Sequence, residues 1–437
     1  MALLIIILIL IFCFWIPSFA LFLLVPFSSN SDGRGIIEYL SLQSSWYLIL
    51  IRMSFFVFLG YGFLLYLNKK RRLISSISRR ACDVSIVIGF FIILSNISNG
   101  LDLFRATQSL LYTPIPYFFL YMIWINENVK FFRIFISTQI IIAFLVIVFP
   151  FFEFIDASIY ISNSGEYVGR IPYSDIDVRN FDEIDKIKLG QYAHFHNPNA
   201  LGFYSVIAIS VGLYALYYEK KFNLTNLAKI IFPILILSLG IFGWINSFTR
   251  GPMIGLIASF ILNFLIVRGK KLLFKALFFS IAIIFIISLF FIYYDYSLMD
   301  YLLLSTDSRS VTSRITGIEN GFLAILSNPI WGVGEQWDWP SDAVPHLLPL
   351  TYAAKYGILT GFFIFYLVFY LPIYLLFINK FKHRSADFFS FVSIYLIIIG
   401  IALTNNTAAT GLFGFSLAFI FKMDTFNLLR SNREIYV

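Results

Sequence analysis

The sequence predicts an all-α integral membrane protein, and three observations predict it. Of the 437 residues 59% are hydrophobic and only 13% are charged, whereas a soluble domain carries roughly a quarter charged residues. Many apolar runs approach the length of about 20 residues that a helix needs to cross hydrocarbon, where every backbone polar group must be satisfied within its own segment. Lysine and arginine collect in alternate connections between those runs, as they do in cytoplasmic loops.

Residues 1–27 have no basic residue ahead of their apolar core and run too long for a signal-peptide core, so they read as a retained span. Further spans are expected at 46–67, 84–97, 110–125, 134–152, 199–218, 230–246, 253–267, 272–294, 351–378, 388–403 and 408–421. The total is about twelve transmembrane helices. If the chain starts inside, every basic cluster falls on one side: KKRRLISSISRR from Lys69, Lys130 with Arg133, Lys220 with Lys221, RGKK from Arg268, KFKHR from Lys380, and finally Lys422, Arg430 and Arg433. Both termini are therefore expected to be cytoplasmic. The net charge of +8 is then a topology signal, directed at anionic headgroups, with no nucleic acid involved.

The opposite face should carry two large exterior loops with short helices, 153–198 and 295–350. In the first, Glu153, Asp156, Glu166, Asp175, Asp177, Asp182, Glu183 and Asp185 face only Arg170, Arg179, Lys186 and Lys188. Loops of this length in a compact protein are functional or disordered. Their interleaved Tyr, Trp, Pro, Gly and apolar residues favour folded, re-entrant structure. Cys13 falls in the first span and Cys82 beside a cytoplasmic basic cluster, so neither a disulfide framework nor a cysteine metal site follows. With no internal repeat and no low-complexity linker, residues 1–437 read as a single polytopic membrane domain.

Arg250, in INSFTRGPMIG, has no acidic residue near it in the sequence and falls at the exterior end of the seventh span. A lone arginine there can snorkel to headgroup phosphates. Arg170, Arg179, Arg309 and Arg314 fall on the same side, however, where arginine should be scarce. A guanidinium fork binds phosphate oxygens bidentately, so the set points to an anionic, lipid-borne ligand. Of four histidines, His194, His196 and His346 are exterior and His383 lies in a cytoplasmic cluster. A histidine can take the proton of an attacking hydroxyl. His194 and His196 could instead form a metal pair, but no committed carboxylate accompanies them.

Four blocks together resemble the O-antigen ligase and O-antigen polymerase superfamily. TRG from Thr249, with Ser247 before it, is similar to its T/S-x-S/T-R-G signature. GQYAHFHNPNALGFYSV resembles its loop-to-helix segment containing PN. SRITGIENGFLAILSNPIWGVG, from Ser313, resembles its arginine, amphipathic stretch, Pro and Gly-x-Gly. VPHLLPLTYAAKYGILTG is similar to its histidine at the start of a helix carrying Gly-x-x-x-Gly, here Gly357 and Gly361. The blocks cover residues 190–361. Two departures stand out: Leu347 follows the histidine where the family often has Asn, and no arginine directly precedes the PN block.

The resemblance implies a GT-C-like membrane glycosyltransferase of the bacterial cytoplasmic (inner) membrane, using glycans carried on undecaprenyl pyrophosphate with its active site facing the periplasm. His346 is then the expected general base, with His196 the competitor, and Arg250 and Arg314 the expected pyrophosphate ligands. Arg170, Arg179, Arg309, Thr249, His196, Asn197 and Asn199 are expected to bind substrate. Arginines stabilise the leaving group without a metal, and no cofactor is implied. The implied partners are the lipid-linked oligosaccharide, an acceptor glycan or lipid A core, and membrane lipids, with a chain-length regulator and a flippase beside them. Polymerase is favoured over ligase because the His-Asn pair is missing. A flippase or transporter would match the span count but should keep ionisable residues at mid-bilayer, where Arg52 is the clearest instance.

Overall fold

The computed structural model describes residues 46–68, 76–124, 226–247, 309–340 and 344–378 continuously, with two short strands and helical residues scattered within 202–212, 255–256 and 395–421. The continuous helices are α1 (Trp46–Asn68), α2 (Ser76–Ser98), α3 (Leu103–Gln108), α4 (Ile115–Trp124), α5 (Asn226–Ser247), α6 (Arg309–Ser327), α7 (Leu348–Tyr356), α8 (Ile358–Phe365) and α9 (Leu371–Ile378). A 3₁₀ turn, Ser109–Tyr112, precedes α4, and a π segment, Tyr366–Tyr370, joins α8 to α9. Among the described residues two helical stretches, Ser76–Ser98 and Ile358–Leu375, are long and apolar enough to cross a membrane. The remaining expected spans rest on the sequence.

In the first exterior loop, where short helices are expected, the described residues form an antiparallel pair, β1 (Tyr160–Ile161) and β2 (Tyr167–Val168), with Tyr160 opposite Val168, and the rest of the loop lies outside the described residues. Tyrosine and β-branched residues suit a pleated ladder. Two expectations change. The expected span at 351–378 is broken at Gly357, whose φ is +93°. Residues 351–356 therefore belong to α7, and the membrane-length stretch starts at Ile358. The Gly-x-x-x-Gly pair consequently does not lie on one helix face: Gly357 ends α7 and Gly361 sits in α8. The helix at 84–97 is longer than expected, starting at Ser76.

The core is aromatic. Phe55, Phe58, Tyr66, Tyr117, Phe118, Tyr121 and Phe421 are buried in one cluster with Ile88, Ile92 and Leu371. Polar side chains bolt distant segments to it. The Tyr66 hydroxyl donates to Asp83 at 2.7 Å, fixing the end of α1 against α2, and Ser78 donates to the Phe421 carbonyl at 3.1 Å. Close backbone approach does the rest: a Cβ on Gly240 of α5 would meet the Ser205 carbonyl at 2.8 Å, so α5 packs directly on the helical residues at 205–210.

Candidate functional site

The site begins with α6 and the loop that follows it. Along α6 the inward face is made of Gly317, Asn320, Gly321 and Ala324, small residues at the three- and four-residue spacing of one helix side. That face receives the stretch Val344–Leu347. A Cβ on Gly317 would stand 2.6 Å from the Val344 carbonyl, and one on Gly321 would stand 2.8 Å from the Pro345 ring. Asn320 donates to the Pro340 carbonyl at 2.8 Å. From the other side the Thr351 hydroxyl of α7 donates to the Pro345 carbonyl at 2.7 Å. His346 is thus held between α6 and the first turn of α7.

His346 is half-buried and its Nδ1 is closed off from solvent. Leu347 is the N-cap of α7 and makes no side-chain cap, while Pro349 occupies the first turn, where its missing N–H costs nothing. Arg314 lies three residues before Gly317 on α6, a rise of about 4.5 Å. The helix position bearing Arg314 is therefore brought within a turn of the backbone that packs beside His346.

At the far end of α7 the Gly-x-Gly segment closes the structure. Gly332 and Gly334 have φ of +71° and +78°, a region that L side chains avoid. This backbone lets the N–H groups of Val333 and Gly334 reach the last carbonyls of α7, Ala354 at 2.9 Å and Lys355 at 2.8 Å, satisfying groups that a helix end leaves open. A Cβ on Gly332 would collide with the Lys355 carbonyl. The Ile358 N–H donates to the Pro329 carbonyl at 3.0 Å, joining the same loop to the start of α8.

Glu335 then anchors a polar knot that sequence reasoning missed. Its carboxylate accepts from Lys355 Nζ at 2.6 Å and from the Tyr356 hydroxyl, and its N–H donates to Asn96 Oδ1 at 3.1 Å. Asn96 in turn donates to Ser109 at 2.8 Å, Asn99 donates to the Gly332 carbonyl at 3.1 Å, and Ser95 donates to the Trp331 and Lys355 carbonyls. Burial, and after it the charge of Glu335, pushes the Tyr356 and Tyr352 phenols far above the usual tyrosine range. Both stay protonated, and Tyr356 serves as a donor to Glu335. The end of α2 is thereby locked to the α7–α8 junction across more than 230 positions of sequence.

Away from this site, an apolar groove of about 800 Å³ lies among α1 to α4, lined by Met53, Phe56, Phe63, Phe90, Leu103 and Phe119. Arg309 is the first residue of α6. Arg170, Arg179, His194, His196, Asn197, Asn199, Thr249 and Arg250 lie outside the described residues, as does any metal pair at His194 and His196.

Two apolar stretches of membrane length suggest a membrane protein, and beside them a histidine is clamped at a helix start whose far end a glycine loop caps. The family model for O-antigen ligase matches residues 233–366, a segment that contains α6, α7, α8 and the knot residues Glu335, Lys355 and Tyr356. That match supports a relation of the segment to the O-antigen ligase/polymerase superfamily, a family of membrane glycosyltransferase-like ligases and polymerases, and does not distinguish the two. No curated protein and no solved structure matches the chain.

Proposed function

We propose that the protein is a GT-C-like surface-polysaccharide polymerase, joining undecaprenyl-pyrophosphate-linked oligosaccharide repeat units at the outer face of the bacterial inner membrane. The observation that supports it best is His346, clamped between α6 and α7 inside the matched segment, with Arg314 a turn away on α6. In the reaction, His346 takes the proton of the acceptor sugar hydroxyl as that oxygen bonds to the anomeric carbon of the donor. The bond from that carbon to pyrophosphate breaks, and undecaprenyl pyrophosphate leaves with the electron pair. Arg250 and Arg314 stabilise the charge that builds on it, with no metal required. Attack opposite the leaving group inverts the anomeric centre. The apolar groove among α1 to α4 is suited to a polyprenyl chain.

Polymerase is chosen over ligase because Leu347 stands where a His-Asn pair would put Asn. The ligase reading, transfer of the finished glycan to lipid A core or to a protein, is favoured by the description of the matching family. A deletion strain separates them. Surface glycan reduced to single repeat units on its acceptor supports the polymerase; long lipid-linked polymer with none transferred establishes the ligase.

A further inference from the structure

Helix α6 turns its small-residue side to Val344–Leu347 and presents an apolar side outward. Ile315, Ile318, Phe322, Leu323 and Leu326 are all exposed, Leu326 to 77%, and they fall on one stripe at helical spacing opposite Gly317, Gly321 and Ala324. A stripe of this size on a water-facing helix would be a liability.

Its surroundings say what covers it. Just beyond α6, Ile330 is 63% exposed, and the neighbouring Pro329 carbonyl accepts the Ile358 N–H at the first residue of the membrane-length stretch. On that stretch Ile358, Leu359, Phe362 and Phe365 are exposed in turn. One apolar surface therefore runs along α8, across the Pro329–Ile358 junction and onto α6. Between them the polar interruption is short, the exposed Ser327 and the half-buried Asn328. Trp337, exposed, follows eight residues after Pro329, the residue type that collects at the membrane–water boundary. Glu319, exposed, interrupts the stripe. A carboxylate there suits the interface, where water still reaches it, and not the hydrocarbon centre.

We propose that α6 is an interfacial helix, lying on the bilayer with Ile318, Phe322 and Leu326 inserted among the lipid acyl chains at the headgroup boundary. Because Gly317 and Gly321 seat Val344 and Pro345 directly on the other side of this helix, the bilayer sets the height of His346. The inference stands on the apolar surface alone and holds whichever reaction the site performs.

The full chain, with Cys13→Ser and Cys82→Ala, is reconstituted in phosphatidylglycerol–phosphatidylethanolamine vesicles after spin-labelling Phe322→Cys, Leu326→Cys or Asp338→Cys. Collisions with oxygen, which concentrates in hydrocarbon, are compared with collisions with a water-soluble nickel chelate. The oxygen-to-nickel ratio should be several-fold higher at positions 322 and 326 than at 338. Ratios at 322 and 326 equal to that at 338 would place α6 in water and overturn the proposal. Labels shielded from both probes would put a protein surface there and overturn it equally. Should the cysteine-free background not fold, Phe322→Trp in the otherwise unchanged chain serves instead. Dibrominated lipid must then quench its fluorescence beyond the parent's, and no extra quenching refutes insertion.

Discussion

Replacing Gly332 by Ala tests whether the Gly-x-Gly segment caps α7 as described. At φ +71° an L residue loses roughly 1–2 kcal/mol relative to ordinary backbone. The new Cβ also meets the Lys355 carbonyl and the Tyr356 nitrogen. These are backbone atoms of a helix end that cannot rotate aside. Moving the loop away stretches the Val333–Ala354 and Gly334–Lys355 hydrogen bonds, now 2.9 and 2.8 Å, each worth about 1 kcal/mol net. The expected destabilisation is about 2–5 kcal/mol. Gly60→Ala in α1 is the internal comparison, since a Cβ there meets nothing within 4 Å. In a helix interior that change should be neutral or stabilise by about 0.5–1 kcal/mol. Thermal unfolding of both variants in one detergent reads the difference. A Gly332→Ala protein that melts with the wild type, or a Gly60→Ala protein that loses as much stability as Gly332→Ala, would refute the capping geometry.

Four further outcomes follow from the same account. Arg250→Lys and Arg314→Lys keep the charge but lose the bidentate fork, so each should shorten the glycan strongly while inserting normally; near-normal glycan length in both would return Arg250 to headgroup snorkelling. His346→Ala should lose roughly 10²- to 10⁴-fold in elongation rate with donor-lipid binding nearly intact, whereas normal elongation there together with its loss in His196→Ala would move the base to the first exterior loop. The wild-type rate should fall as the medium is acidified through the range where histidine gains its proton, because a protonated imidazole cannot accept another; a flat profile would argue against a histidine base. Purified enzyme should work in EDTA, and activity lost there but restored by a divalent ion would revive His194 and His196 as ligands.

Parts of this architecture were legible in the chain because local physics writes them there. Composition and apolar run length place the helices at 46–68 and 226–247 to within several residues, whereas the helix at 76–98 starts eight residues before its expected start, and Gly332 and Gly334 stood out only through the family resemblance. The break at Gly357 was not legible, since the apolar run continues through it and a glycine inside such a run is ordinary. Nor was the knot around Glu335. Its partners Asn96 and Ser95 lie in a helix more than 230 residues away, and nothing in either segment names the other. Lys355, a lone charge in an otherwise apolar helix, was the only local hint. His346 was legible as a histidine at a helix start, but the clamp that fixes it depends on Gly317 and Gly321, whose small size has meaning only once α6 meets Val344–Leu347.

The most direct test of the central claim supplies purified protein in vesicles with a single substrate, the undecaprenyl-pyrophosphate-linked repeat unit, and no lipid A core. Polymerisation predicts a ladder of lipid-linked glycans of increasing length and release of undecaprenyl pyrophosphate in step with each added unit, both abolished in His346→Ala. Unit-length substrate that persists unchanged until lipid A core is added, and is then transferred to it, would contradict the account and make the protein a ligase.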